Sequence, residues 1–175
     1  MIRMYSCEPN RIAIATIYRE ISGLEYIYPN FASWFWQKVA PGVNDGSRSI
    51  FLHSRGNNLT GVIIAKRSQT ERKLCTVWVK QPYRGQKIAP KLIGAALHWL
   101  ECTHPLITIP EERLASFAPI ISHLGFMRTQ ILRDYYRPGH REFVFNGQFN
   151  ITDQSFGQYN SSRNSESLLE RSIPL

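Results

Sequence analysis

The sequence predicts an α+β domain in which a mixed, mostly antiparallel sheet is flanked by helices. Three observations carry this. Residues 49–80 hold three apolar, β-branched runs, "SIFLHS", "LTGVIIAKR" and "KLCTVWVK", joined only by "RGNN" and "SQTER". Connections this short join antiparallel neighbours, so the runs form a meander. Beyond it the apolar period becomes helical over "IAPKLIGAALHWLE", 88–101, and a short strand "PLITIP" follows at 105–110. A strand–helix–strand unit takes a right-handed crossover, which sets 73–80 and 105–109 parallel in one sheet.

The remaining elements read in order. "RIAIATIYREI", 11–21, has apolar residues at helical spacing, and "FASWFWQKVA", 31–40, is a second helix whose Trp34 and Phe35 read as core. After the crossover comes a helix over 111–124 that stops at Gly125, where a left-handed cap suits glycine. Two strands, "FMRTQILRDYY" and "EFVFNG", joined at "RPGH", complete the sheet. Residues 1–150 therefore form the folded unit. The segment 151–175, rich in Ser, Asn and Gln, lacks the apolar pattern that would offset its ordering entropy, and reads as a flexible polar tail.

The chain has 175 residues and a formal net charge of +8, which favours encounter with an anion: nucleic acid, an acidic lipid surface or a phosphorylated small molecule. Cys7, Cys75 and Cys102 are widely spaced and form no C-x-x-C pair, which suggests neither a disulfide framework nor a zinc site. A reducing cytoplasm fits this usage, no metal is expected, and no apolar run is long enough to span a bilayer.

The chemistry concentrates in "KQPYRGQKIAPKLI", 80–93, where a strand hands over to a helix. The first turn of a helix exposes unpaired N–H donors, and the aligned peptide dipoles add partial positive charge there. Gly85 permits close backbone approach, Arg84 and Lys87 add full charges, and Pro90 occupies a first-turn position that needs no N–H. A phosphate group is the natural guest. Neither the Walker pattern nor the dinucleotide glycine pattern is present.

These residues resemble the GNAT superfamily of acyl-CoA-dependent N-acyltransferases. The family signature, Gln/Arg-x-x-Gly-x-Gly/Ala, holds the CoA pyrophosphate and is matched by Arg84-Gly85-Gln86-Lys87-Ile88-Ala89, with Lys87 where the pattern has glycine. The loop is also similar to that of N-myristoyltransferases, in which a basic residue stands at this place and Ala-Pro-x-Leu-Ile follows. "HLGF", 123–126, is similar to the family's Leu-Gly-Phe, and the resemblance covers roughly residues 10–147. It implies a GNAT-like sheet whose parallel strand pair splays apart. Acetyl-CoA or another acyl-CoA is the implied co-substrate, with its pantetheine pairing near Val77, Trp78 and Val79.

The implied reaction is direct attack of a primary amine on the thioester within a ternary complex. An ammonium with a pKa near ~10.4 needs a base first. The family's usual glutamate and tyrosine positions are Lys73 and Ile121 here. Location suggests Glu111, beside Glu112, as the base and Tyr135, beside Tyr136, as the acid, with His104 a loop residue. The acceptor side is expected around "SGLEYIYPN", with Tyr26 and Tyr28. The acceptor is an amine on a small molecule, a protein or an aminoacyl-tRNA; a homodimer is compatible. Three other readings remain: a catalytically silent GNAT-fold regulator that binds an acyl-CoA or a partner, a nucleic-acid module, and an RNA-directed acetyltransferase toxin.

Overall fold

In the computed structural model, residues 2–5 and 11–149 are described; Cys7 and the tail expected over 151–175 lie outside the described residues. Among the described residues the sheet has seven strands: β1 (Ile2–Tyr5), β2 (Arg48–Arg55), β3 (Asn58–Arg67), β4 (Arg72–Val79), β5 (Leu106–Pro110), β6 (Arg128–Arg133) and β7 (Arg141–Phe145). Their order is β1-β2-β3-β4-β5-β7-β6. All neighbours are antiparallel except β4 and β5, the pair that the crossover argument made parallel. The fold class is the one expected. β1 was not anticipated; four residues offer too short a window for periodicity.

Both sheet faces are covered, so the central strands bury alternate side chains in two separate cores. Ile50, Leu52, Val62 and Ile64 face α1 (Arg11–Ile21), where Ile14, Ile17 and Ile21 form a stripe at helical spacing. Phe51, Ile63, Ala65 and Leu74 face α4 (Ile88–Leu100), which buries Ile88, Leu92, Ile93, Ala96 and Leu100. α5 (Glu111–Leu124) packs on the same face and ends as expected at Gly125, φ +65°.

The second helix outruns its expected end at residue 40. It begins as α2 (Phe31–Trp34), widens to a π turn over Phe35–Val39, and continues as α3 (Ala40–Asn44). Pro41 explains the widening. It has no N–H for the preceding turn, and the Ala40 N–H reaches back five residues to the Phe35 carbonyl. Phe31, Phe35 and Val39 still line one buried face.

Helix α4 is seated at both ends. At its C-terminus the chain turns through Glu101 at φ +51°, and the Cys102 N–H bonds the Leu97 carbonyl. Arg67 donates to the Trp99 carbonyl at 2.8 Å and Arg72 to the Leu100 carbonyl at 3.1 Å, satisfying carbonyls that the helix leaves over. At its N-terminus α4 lies directly on Gly61 of β3. A Cβ there would stand 2.8 Å from Leu92 Cδ1 and 2.9 Å from Ile88 Cγ2. Replacing Gly61 by alanine should therefore lift the first turn of α4 off the sheet. The expected cost is roughly 1–3 kcal/mol, read from denaturant unfolding, and an unchanged midpoint would disprove this seating.

Candidate active site

β4 and β5 share only two rungs, Lys73 with Leu106 and Leu74 with Ile107. Beyond them each strand follows its other neighbour: β4 stays paired to β3 as far as Val79, and β5 to β7 as far as Pro110. The strands diverge and leave a cleft of about 520 Å³ through the sheet. Its walls are Cys75, Thr76, Val77, Trp78 and Val79 from β4 and Thr108, Ile109 and Pro110 from β5. The backbone edges facing it are those of an opened ladder, suited to an extended ligand that carries its own amides.

One mouth of the cleft is basic. After β4 a short turn over Gln81–Tyr83 leads to Arg84, then to Gly85 at φ +74° and Lys87 at φ +56°, with α4 starting at Ile88. The two left-handed residues fold the loop across the helix start, and Arg84, Gly85, Lys87, Ile88, Ala89 and Pro90 all line the cleft. Gln86 does not; its side chain donates to the Pro82 carbonyl at 3.2 Å. Arg113 of α5 enters from the opposite wall. Partial burial, and then the charge of Arg113, depress the pKa of Arg84. Three cations held together in this way favour a multivalent anion between them.

The other end is apolar and aromatic. Leu24, Ile27 and Tyr28 line it from the α1–α2 connection, and Tyr28 meets Tyr136 edge-on, ring centroids 5.1 Å apart. Thr108, on the cleft wall, interacts through its hydroxyl with the Tyr136 hydroxyl. Burial and the charge of Glu142 raise the pKa of Tyr28 well above its ordinary value. Burial raises that of Tyr136 as well, reinforced by Tyr28 and then Glu142. Both hydroxyls therefore stay protonated. On β4, Cys75 Sγ receives a hydrogen bond of 3.3 Å from Arg48, itself buried and stacked on Trp34.

The model of the acetyltransferase (GNAT) family matches residues 12–109, more than half of the chain, from α1 through the basic loop into β5. The chain belongs to the GNAT family. Solved structures of that fold superpose on it at low identity. A GNAT-family acetyltransferase from Desulfovibrio desulfuricans gives a TM-score of 0.66 at 10% identity, over 83% of this chain and 97% of that one. The ribosomal-protein-S18-alanine N-acetyltransferase of Escherichia coli gives 0.59 at 16%, over 86% and 97%. A Bacillus subtilis acetyltransferase in complex with CoA gives 0.59 at 10%, over 85% and 100%. Comparison with curated protein sequences returns no match.

Within this GNAT frame the residues expected from sequence separate into two groups. Val77, Trp78, Val79, Arg84, Gly85, Lys87, Ile88 and Ala89 converge on the cleft. Glu111 and Tyr135 are not among the residues that line it. Glu111 bonds Arg141 at 2.8 Å with His140 at 3.7 Å, and the Arg141 hydrogen bond holds its pKa below the usual carboxylate value. Tyr135 was read as the end of a strand, but β6 stops at Arg133. The chain turns at Asp134, φ +56°, and Tyr135 packs edge-on against Tyr136 and Phe149. Glu112 pairs with Arg137, Lys73 is buried against the Phe149 ring, and Tyr26 is 85% exposed. His104 contacts Thr103 in its loop. Sequence reasoning missed Arg113, Thr108 and Glu142. Arg113 was within reach of it, as a cation in the first turn of a helix that follows the second parallel strand.

Lys87 stands in a left-handed conformation that disfavours any residue but glycine by roughly 1–2 kcal/mol. Lys87→Gly should be at least as stable as Lys87→Ala, while both lose the same ammonium and raise KM for acetyl-CoA several-fold. Calorimetric melting and steady-state kinetics on the pair check this; a KM raised in neither variant would show that the side chain does not meet the anion.

Proposed function

We propose that this GNAT protein is an N-acetyltransferase that moves an acetyl group from acetyl-CoA to a primary amine by direct attack in a ternary complex. The observation that carries the reading is the coincidence of the strand divergence with the basic loop at one of its mouths. The diphosphate lies on Arg84, Lys87 and Arg113 and on the loop and first-turn amides of Gly85, Gln86, Ile88 and Ala89. Pantetheine, an extended chain with two amides, runs along the open edge at Val77, Trp78 and Val79. An N–H on that edge polarises the thioester carbonyl and stabilises the oxyanion as the amine adds.

The amine enters from the aromatic end. Leu24, Ile27 and Tyr28 offer it an apolar wall. The solvent-reached carboxylates around this region are engaged, Glu20 with Lys80, Glu111 with Arg141, Glu112 with Arg137 and Glu25 with the Tyr18 hydroxyl. A polycationic acceptor would find little to pair with, and the net charge of +8 would repel it. We therefore favour a single amine on an apolar carrier, such as a small molecule or a peptide terminus.

Isothermal titration with acetyl-CoA, followed by a thiol-release assay on a panel of such amines, tests the reading. Saturable binding with turnover on at least one amine is expected. Absence of binding would overturn the function, and binding without any turnover would favour the silent regulator. Cys75, with Arg48 on its sulfur, is the specific alternative as an acyl carrier. Direct attack predicts that Cys75→Ala keeps turnover and that intact-mass spectra show no acetyl adduct on the wild type. Glu111→Gln and Tyr135→Phe are expected to turn over at near wild-type rates, because the first residue is held by Arg141 and the second by the core; a large loss in either would restore the role expected from sequence.

A further inference from the structure

β7 carries a carboxylate deep in the protein that the ion pairs around it do not absorb. Glu142 is 3% exposed, opposite Pro110 of β5 and Leu132 of β6. It follows the alternation of Val144, whose side chain joins the core beneath α1, so it points to the same face as Tyr28 and the aromatic end of the cleft. Its Oε2 is buried and accepts no hydrogen bond. Burying a carboxylate oxygen unsatisfied is costly enough that its presence calls for a reason.

The groups facing it come from every element packed nearby. α5 contributes Glu112 and Glu111, the β6–β7 connection Arg137 and Tyr136, β4 Lys73, and the α1–α2 connection Tyr28. Arg137 pairs with Glu112 through Nη2, its buried Nε making no hydrogen bond, and Glu111 pairs with Arg141. Tyr28, which lines the cleft, and Tyr136, which meets the Tyr28 ring edge-on, both lie within reach of the Glu142 charge.

Resting on the acetyltransferase reading, we propose that Glu142 is the proton acceptor for the incoming amine, reached through the Tyr28 and Tyr136 hydroxyls at the aromatic end of the cleft. The substrate ammonium gives one proton through this relay to the Glu142 carboxylate. The freed lone pair forms the C–N bond at the thioester carbonyl, and the C–S bond breaks. The proton then lost from the amide nitrogen ends on the CoA sulfur, and the one held by Glu142 leaves to solvent. The net result is amide, free thiol and one proton.

Burial, reinforced by the charge of Glu112, raises the Glu142 carboxyl to about 8, against the lowering influence of Arg137 and Lys73. It therefore titrates where a general base for amines is useful. The same shift has a sign in stability. A carboxyl whose folded pKa lies above its unfolded one binds more protons in the native state. Stability therefore falls as pH rises from the unfolded pKa, near ~4.3, to about 8, and levels off above that.

The test uses the full chain and two readouts. First, kcat/KM is followed from about pH 6 to 9 at saturating acetyl-CoA, with an amine whose own pKa lies outside this window. The wild type should climb to a plateau through a limb near 8. Glu142→Gln should lose on the order of 10²-fold and lose that limb while binding acetyl-CoA as before. Tyr28→Phe should lower kcat and keep the limb. Second, the melting temperature of Glu142→Gln should rise relative to wild type between about pH 5 and 8, a comparison that needs no substrate. An active wild type whose limb and rate survive in Glu142→Gln would overturn the proposal and leave the acetyltransferase reading standing. A wild type that binds acetyl-CoA but acetylates nothing would overturn both. Unchanged Tyr28→Phe kinetics would remove the relay.

Discussion

Everything at this site depends on two strands that cannot stay together. β4 is claimed along its whole length by β3, and β5 by β7, and these antiparallel partners draw them apart after two shared rungs. Backbone groups that a closed sheet would pair are thereby left facing a cleft. A polar edge of this kind is stable only where water or a ligand answers it. The opening is thus a property of the topology, and side chains decide only what it receives.

Those side chains give the cleft two unlike ends. At one, Arg84, Lys87 and Arg113 gather at the start of α4, two of them on a loop that needs two left-handed residues to pass the helix. At the other, tyrosines and aliphatic groups surround hydroxyls that stay protonated, with a desolvated carboxyl behind them. A molecule with a charged head and a neutral reactive tail is oriented by this gradient before any specific contact forms. In the proposed reaction the cofactor enters at the first end and the acceptor at the second.

Most of the frame was legible in the sequence because it rests on local signals. The meander follows from short connections, the parallel pair from its crossover, and the last cap from Gly125. The basic loop was legible too, since Arg84, Gly85 and Lys87 lie within four residues of one another. What escaped depends on distant neighbours. Pro41 reads as a helix stop, and only the buried row of Phe31, Phe35 and Val39 keeps the helix running through a π turn. Tyr135 lies beyond its strand because the chain reverses at Asp134, which no periodicity announces. Glu142 looks like any polar residue near the start of a strand. Its burial is set by α5, the β6–β7 connection and the α1–α2 connection together, so nothing adjacent in sequence marks it.

The seating of α4 carries a last implication. Gly61 fixes where the helix begins against β3, and Arg67 and Arg72 hold where it ends, so the helix cannot slide along its own axis. The basic loop and the gap between the strands are thus held a set distance apart, and in the proposed reaction the pair would serve as a ruler for the arm that joins diphosphate and thioester. A thioester on a shorter arm would stop before the aromatic end, whatever its acyl group.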